Sequence, residues 1–415
     1  MGFMVPMRCH FLGLEALHES AQKRCADEAR SFINAHREII NPDPKLPRLA
    51  ARLRERAGDF KQFNVVVGFD GFVDEIISVV HERQRLDQWT PVKDIDTFGT
   101  LIKAAAGRSS LREIIVHRAD PGGCSVNLGD GLLALGITLD CFATLGQPRH
   151  AAFAAFAAQC RTCHSWGREP GRTLAFEFSD GKLMFSAVTP LAEFDCRLLD
   201  QVLADGAYAR ACRQAQLIAL TDWTLYPHMT ECWRMLQREV FSALKQRPFF
   251  FLDLVDPTSR SEADIRAMLE VIPGFEAFGP TVLGVNGTEA NVLSRILGLP
   301  VAEEHAADVQ RQAAALRQKL GISQVVTHCV KLAARADSQG TWGVMGPYCA
   351  HPKKSTGAGD RFNAGYGAGL MLGFDPEDCL LLGCAASGFF VRQARSANIA
   401  ELAEFMDAWG GNRLT

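Results

Sequence analysis

Residues 354–365 read KSTGAGDRFNAG, and this stretch decides how the rest of the chain is interpreted. Two glycines and an alanine precede the acid Asp360, and a helix-like run follows as far as Leu372. Backbone N–H groups at such a loop-to-helix junction form a concave anion site, which the helix dipole reinforces. An acid placed there can accept a proton from a hydroxyl while the hydroxyl attacks a phosphate held by those N–H groups. The stretch therefore predicts phosphoryl transfer.

The same residues resemble the D-T-T-G-A-G-D signature of the ribokinase-type (PfkB) carbohydrate kinases. The resemblance implies that Asp360 is the catalytic base. Gly357, Ala358 and Gly359 would then form the anion hole for the transferred phosphoryl group, and we assign Thr356 to the nucleotide site. The structural alternative is a tight turn in which the aspartate only caps the helix.

A second glycine-rich segment, PGGCSVN at residues 121–127, runs into LGDGLLALG. Paired glycines let a hydroxyl-rich ligand approach the backbone, and an amide side chain can both donate to hydroxyls and accept from them. The segment resembles the first signature of the same family, G-G-x-x-x-N leading into a helix. That resemblance implies that Gly122, Gly123 and Asn127 contact the sugar. A strand-turn-helix junction without a ligand is the alternative.

The apolar run NVVVG at residues 64–68 predicts a buried parallel strand, and FDGFVD follows it. Ligands in open α/β sheets lie beyond the carboxyl ends of such strands. In the resembling family, an aspartate a few residues after this strand binds sugar hydroxyls. We assign that role to Asp74, with Asp70 as the alternative, and either could instead be an ordinary turn residue.

The sequence NGTE at residues 286–289 follows another strand-like run. It resembles the family's N-x-x-E motif, whose asparagine and glutamate organise Mg²⁺ and its waters around the nucleotide phosphates. Magnesium keeps several waters, so one glutamate used in this way is chemically reasonable. The resemblance implies that ATP with Mg²⁺ binds near Asn286 and Glu289, with Glu289 holding the metal through water. The alternative is a helix start at which the two residues form a capping box.

Two departures from the family pattern alter these expectations. Lys354 replaces the signature's first aspartate, in a region that holds a monovalent cation in some relatives. A fixed ammonium group could supply that charge, so we expect little activation by potassium. After the strand-like run at residues 324–327 the usual glycine turn is missing, and Thr327 is the nucleotide contact that we carry over there. In a later helix, the small residues Ala385 and Gly388 are expected to lie near the adenine.

Strand and helix signals alternate from residue 63 onward, which predicts the α/β class. We expect a doubly wound, mostly parallel sheet with helices on both faces. The predicted division is an N-terminal helical extension at residues 1–62 and a ribokinase-like kinase domain at residues 63–415. Within that domain, residues 75–120 and 172–186 are expected to form a small β lid, which would keep water away from the sugar.

The composition favours a soluble enzyme. The chain has 415 residues, 47% of them hydrophobic, and a formal net charge of −3, so it can bury a large core and has no general attraction to nucleic acid. No apolar run is long enough to span a membrane, and the first residues lack the pattern of a secretory signal. Thirteen scattered cysteines predict reduced thiols. We therefore expect a cytoplasmic protein without a membrane or nucleic-acid partner.

One cysteine motif, CRTCH at residues 160–164, matches the pattern of c-type haem attachment. Haem attachment would require export, and a zinc site would need a second pair of ligands that the sequence does not offer. We interpret Cys160 and Cys163 as ordinary thiols near a helix end.

Together these segments predict an ATP-dependent kinase acting on a hydroxyl of a sugar or sugar-like compound. Two alternatives stay open at this stage. One is a nucleoside kinase of the same fold, and the other is a catalytically degenerate protein that binds sugar as a sensor. The sequence also leaves open which compound accepts the phosphate and whether the chain forms a homodimer.

Overall fold

The computed structural model of the protein describes residues 44–414. Within them fourteen strands form two sheets. In chain order the strands are β1 (Asn64–Gly68), β2 (Phe72–Arg85), β3 (Gln88–Pro91), β4 (Ile114–Gly122), β5 (Thr138–Ala143), β6 (Thr162–Ser165), β7 (Gly171–Phe178), β8 (Gly181–Ala187), β9 (Leu217–Leu220), β10 (Phe249–Asp253), β11 (Thr281–Asn286), β12 (Gln324–His328), β13 (Leu332–Ala336) and β14 (Thr341–Met345).

The larger sheet has nine strands in the spatial order β14-β13-β12-β11-β10-β9-β1-β5-β6. Neighbouring strands are parallel from β6 across to β12, and β13 and β14 extend the far edge in antiparallel fashion. The chain fills one side of β1 with β5 and β6 and later fills the other side from β9 onward. The order of strands therefore reverses at β1, and open α/β sheets bind their ligands at such a point.

The smaller sheet has the order β3-β2-β7-β8, with β4 paired to the first half of β2. Its strands β7 and β8 form a hairpin around residues 179–180. Three residues separate the end of β1 from the start of the long strand β2, so the smaller sheet starts at the ligand-binding end of the larger one.

The helices cover both faces of the larger sheet. In chain order, within residues 44–414, the α-helices are α1 (Lys45–Glu55), α2 (Ile95–Lys103), α3 (Cys124–Ala134), α4 (Ala154–Ala157), α5 (Cys196–Leu203), α6 (Ala207–Cys212), α7 (Met229–Glu239), α8 (Glu262–Leu269), α9 (Gly287–Leu297), α10 (Ala306–Leu320), α11 (Ala358–Met371), α12 (Pro376–Gln393) and α13 (Ile399–Gly410). Short 3₁₀ segments lie at Ala57–Gln62, Ala151–Phe153, Thr189–Glu193, Phe241–Ala243, Pro257–Ser259 and Ile272–Ala277.

Strand β1 shows why both faces of the larger sheet must be covered by apolar side chains. Val65 and Val67 belong to one buried hydrophobic cluster, whereas Val66 belongs to a second cluster on the opposite face. Successive side chains of a strand point to opposite faces, so an uninterrupted apolar run requires apolar partners on both. The α/β, doubly wound fold predicted from the sequence is confirmed.

Helix α1 packs against the last helix, α13. Leu46, Leu49 and Leu53 of α1 are buried in the same cluster as residues of α12 and α13. The predicted boundary at residue 62 stays a prediction, although residues 45–62 share a core with the residues that follow it. Most of the predicted extension, residues 1–43, lies outside the described residues. No helix within residues 44–414 combines the length and the apolar composition needed to cross a membrane.

Candidate active site

The two glycine-rich segments meet in space. The Asn127 side chain, on the first turn of α3, donates a hydrogen bond of 3.0 Å from Nδ2 to Oδ2 of Asp360 on α11. Gly357 lies just before α11 with a left-handed φ of 88°, and a Cβ atom there would be 3.2 Å from Nδ2 of Asn127. Glycine is therefore required at this position both by conformation and by space. The residue assigned to the sugar and the residue assigned as base thus belong to one site.

Asp360 is buried, and its pKa is raised to about 8. Burial is the main cause, and the negative charges of Asp253 and Asp70 act in the same direction. The charge of Arg361 and the hydrogen bond from Asn127 lower the pKa again. A carboxyl group with a pKa near neutral pH can take a proton and hold it, as a general base must.

The two candidate aspartates near β1 have different surroundings. Asp70 is buried and accepts hydrogen bonds from the Ser125 amide and the Thr221 hydroxyl, both at 2.8 Å, and from the Cys124 amide. Its carboxylate therefore joins the end of β1 to the start of α3, and desolvation raises its pKa. It lies beneath the sugar segment, since a Cβ atom on Gly123 would be 2.8 Å from its Oδ2.

Asp74 lies on β2 of the smaller sheet. A Cβ atom on Gly122 would collide with its carboxylate, so that glycine is required for the close approach. Burial raises the pKa of Asp74, while a hydrogen bond to Thr173 and the positive charge of Lys354 lower it. Asp74, the better of the two sequence candidates, therefore has the less occupied carboxylate, and the structure brings it together with Gly122.

Lys354 faces this end of the site. Burial lowers the pKa of its ammonium group, the charge of Arg361 also lowers it, and the charges of Asp120 and Asp74 raise it. The ammonium group is therefore close enough to the predicted sugar residues to interact with them electrostatically. The hydroxyl of Thr356, which we assign to the nucleotide site, contacts the Met184 sulfur of β8 at 3.7 Å.

The start of α11 offers the predicted anion-binding amides. The Ala358 amide donates to the Ser355 carbonyl at 3.0 Å. The amides of Gly357 and Gly359 make no backbone hydrogen bond within residues 44–414. The first N–H groups of a helix have no partner inside it, so they are available to an anion. Of the three predicted members of the anion hole, the two glycines have the freer donors.

A cleft of about 800 Å³ opens beside these amides. Ala358, Gly359, Asn286 and Gly388 are among its lining residues, so the anion hole, the N-x-x-E segment and α12 share one cavity. The other predicted nucleotide residues, Glu289, Thr327, Thr356 and Ala385, are not among its lining residues. Thr327 and Ala385 are fully buried, Ala385 within a hydrophobic cluster, while the nearby His328 and Cys384 do line the cleft.

The N-x-x-E segment forms a capping box at the start of α9. The Asn286 side chain accepts from the Glu289 amide at 3.0 Å, and the Glu289 carboxylate accepts from the Asn286 amide at 2.8 Å and from Nδ2 at 2.7 Å. Burial and the charge of Asp253 raise the pKa of Glu289 to about 8. The structural alternative considered for this motif is therefore present, and a water-mediated role for Glu289 is compatible with it.

The acidic groups around the cleft suit a magnesium ion that is bound mainly through water and phosphate oxygens, rather than a metal ion held by several protein side chains. The negative charges of Asp253, Asp256 and Asp360 all raise the pKa of Glu289. The electrostatic potential around Glu289 is therefore negative, which favours a cation. Among residues 44–414 no three His, Cys, Asp or Glu side chains converge as metal ligands. Magnesium commonly takes few protein ligands and several waters or phosphate oxygens, so Glu289 is the residue that would hold it here.

Sequence reasoning missed three polar residues beside the base. Asp253, at the end of β10, accepts from the Asn363 side chain at 2.6 Å, and burial raises its pKa to about 6. His328, at the end of β12, lines the cleft, and burial lowers its pKa to about 4, so the ring is neutral. The position at a strand's carboxyl end was the available signal for Asp253 and His328. Asn363 lies one helical turn after Asp360.

The CRTCH residues lie away from this site. Cys160 follows α4, and Cys163 lies in the edge strand β6, where it neighbours Cys141 of β5. Hydrogen bonding of Cys163 with Cys141 and with Cys160 raises the pKa of those two thiols and lowers the pKa of Cys163. The prediction of thiols near a helix end describes Cys160 but not Cys163.

Comparison with known proteins agrees with this geometry. The family model described as prokaryotic ketohexokinase matches residues 46–409. The ketohexokinase of Haloferax volcanii is 27% identical over 372 residues, which cover 89% of this chain and 97% of that protein.

Solved structures share the fold at lower identity. Ribokinase from Thermotoga maritima matches with a TM-score of 0.54 and 14% identity, covering 84% of this chain and 98% of its own. Phosphofructokinase-2 from Escherichia coli, in complex with substrates and products, matches with a TM-score of 0.56 and 13% identity, covering 84% of this chain and 99% of its own. A nucleoside kinase from Methanocaldococcus jannaschii matches with a TM-score of 0.55 and 13% identity, covering 83% of this chain and 98% of its own. The ribokinase-like fold and the family model lead to one conclusion: this chain is a carbohydrate kinase and belongs to the prokaryotic ketohexokinase family.

Proposed function

We propose that the protein transfers the γ-phosphoryl group of ATP to a hydroxyl of a ketohexose, with Asp360 as the general base. The observation that carries the proposal is the hydrogen bond between Asn127 and Asp360, the residue that follows Gly359 of the cleft wall. It joins the segment assigned to the sugar with the segment assigned to phosphoryl transfer. The family match and the name of the Haloferax relative favour a ketohexose over other acceptors.

In the proposed reaction the sugar lies beside the Gly122–Gly123 turn, next to the Asp74 carboxylate that packs against Gly122. Asn127 and the carboxylate of Asp74 would hydrogen bond to its hydroxyl groups. The attacking hydroxyl faces Asp360, which takes the proton as the new bond from oxygen to the γ-phosphorus forms. The bond from the γ-phosphorus to the bridging oxygen breaks, and ADP leaves.

The amides of Gly357 and Gly359 would stabilise negative charge on the transferred group. Bound Mg²⁺, held near Asn286 and Glu289, supplies charge neutralisation for the nucleotide phosphates. The smaller sheet would keep water out, because water competes with the sugar for the phosphoryl group. The adenine is proposed to lie toward Gly388, on the α12 side of the cleft.

The test is ADP release from ATP and Mg²⁺ over a panel of ketohexoses, aldohexoses, pentoses and nucleosides. We expect turnover with a ketohexose, and preferred turnover of a nucleoside would favour the nucleoside kinase alternative. Asp360→Asn should lower kcat by about 10²–10⁴-fold with ATP affinity retained in calorimetry. Asp200→Asn, an exposed aspartate on α5, is the matched control and should leave kcat unchanged. Sugar binding without any ADP release would contradict the proposal and favour a sensor.

A further inference from the structure

His328 occupies an unusual place in the cleft. It is the last residue of β12 and lies on the cleft wall together with Asn286 and Gly359. A Cβ atom on Gly359 would lie 2.9 Å from His328 Cε1 and 3.4 Å from Nε2. The imidazole edge is therefore in direct contact with the backbone that carries a proposed anion-hole amide. Its ring also packs on Phe362, with the centroids 5.1 Å apart.

The ring nitrogens of His328 are not used inside the protein. Neither makes a hydrogen bond within the part of the chain that the structure describes. Imidazole carries at least one N–H donor, and the His328 side chain is only partly buried where it lines the cleft. This donor is therefore unused by the protein and available to a group that enters the cleft.

The chemistry of the surroundings narrows the ligand to an anion. The Gly359 amide beside His328 is a donor at a helix start, which favours negative charge. The carboxylates of Glu289 and Asp256 are nearby acceptors, but the first is already engaged by Asn286 and the second accepts from the Thr258 amide at 3.0 Å. A phosphate oxygen held by the Gly359 amide would lie within reach of the imidazole edge.

We infer that His328 donates a hydrogen bond to a phosphate oxygen of the bound nucleotide, as a binding residue beside the Gly359 amide. This inference rests on the proposed function, because it requires that ATP occupies the cleft. It also accounts for how the cleft holds phosphates although residues 328–332 (HCVKL) contain no glycine that would bring the backbone close.

The test compares two ligands on the full chain by calorimetry: a non-hydrolysable ATP analogue with Mg²⁺, and adenosine. His328→Leu keeps the packing on Phe362 but cannot donate. We expect it to weaken binding of the ATP analogue by roughly 10–100-fold, the range for a hydrogen bond to a charged group, and to change adenosine affinity by less than about twofold. His328→Gln restores an N–H donor and should recover a large part of the loss.

His164→Leu is the matched control. This histidine packs on Phe142 with ring centroids 4.7 Å apart, as His328 packs on Phe362, but it lies on the edge strand β6. It should leave both affinities unchanged. If His328→Leu binds the ATP analogue as tightly as the wild type, or loses adenosine to the same extent, the inference is wrong. Failure of the wild type to bind the analogue at all would instead refute the proposed function.

Discussion

The protonation of Asp360 is controlled by a small number of neighbours. Burial and the carboxylates of Asp253 and Asp70 raise its pKa to about 8, and Asn127 and Arg361 act in the opposite direction. The hydrogen bond from Asn127 is the one interaction that also belongs to the predicted sugar site. The Asn127 side chain therefore both contacts the proposed base and contributes to its pKa.

This double role gives a prediction on pH dependence. Asn127→Ala removes the hydrogen bond to the charged form of Asp360, so the pKa of the base should rise further. Because the base must be deprotonated, activity is lost as pH falls through that pKa. The acidic limb of the kcat/KM profile should therefore move to higher pH, by about half a unit or more. Asn398→Ala, at the cap of α13, should leave the limb in place, and an unmoved limb in the Asn127 variant would contradict the role given to it.

Among single residues, the sequence indicates which motifs meet better than it indicates which side chains face the cleft. Asp360, Gly357 and Asn127 lie together, and each belongs to a motif with a backbone requirement that glycine or a helix start reveals. Thr327 and Ala385 are predicted to contact the nucleotide, and both are buried without lining the cleft, so their role stays a prediction. Which side chains of an apolar strand or helix face a cavity depends on their neighbours in space, and the linear pattern does not give these.

At the scale of elements, two side-chain hydrogen bonds connect α3 to α11. Asn127 bonds to Asp360, and one turn further along α3 the Asp130 carboxylate accepts from Arg361 Nη2 at 2.7 Å. The Arg361 side chain also donates to Ser396 Oγ at 3.2 Å and lies 4.4 Å from the centre of the Phe390 ring. The helix that carries Asn127 and the helix that carries Asp360 are thus held in register.

Arg361→Lys tests this register. A lysine cannot hold Asp130 and Ser396 together while stacking on Phe390, because it lacks the planar fork of arginine. We expect kcat to fall about tenfold, since a small misplacement of the base is costly, with KM for ATP nearly unchanged. Arg395→Lys is the matched control, because Arg395 also lies over a phenylalanine ring and pairs with a carboxylate, but at the exposed end of α12. Equal kcat values for the two variants would show that the hydrogen bond between Arg361 and Asp130 does not position Asp360.

The elements themselves were predictable where the pattern is strong. The strand at residues 64–68 was predicted because a β-branched run marks it, and turn residues likewise mark the hairpin of β7 and β8. Helix α2 begins at Ile95, since Asp94 accepts from the Thr97 amide and caps it. After His150 only short helical turns form, and the edge strand β6 was missed because its sequence, TCHS, carries no apolar periodicity.

At the scale of the whole molecule, two buried clusters sandwich one sheet, and the site lies at the end of that sheet, between its strands and the smaller sheet. Helix α1 takes part in this core. Lys45 and Arg54 pair with Glu377 of α12 and Asp407 of α13, both at 2.6 Å. The predicted division at residue 62 can therefore be tested through stability.

We expect Leu49→Ala to destabilise the entire kinase domain. Leu49 is fully buried, and large-to-small changes in a packed core cost about 2–5 kcal/mol. If residues 45–62 belong to the core, thermal unfolding followed by circular dichroism and by loss of activity should shift together to lower temperature. Glu55→Ala, at an exposed position of the same helix, should leave the transition nearly unchanged. Retention of activity after a separate early transition would support a boundary at residue 62.

The hydrogen bond between Asn127 and Asp360 joins positions 233 residues apart in the chain, and this separation has a kinetic consequence. The bond closes a loop that includes most of the larger sheet, whose parallel strands pair only after long excursions of the chain. Local helices and the β7–β8 hairpin can form early in refolding, but the base meets its amide partner only when both halves of the sheet have joined. Recovery of turnover therefore reports completion of folding, later than any measure of helix content.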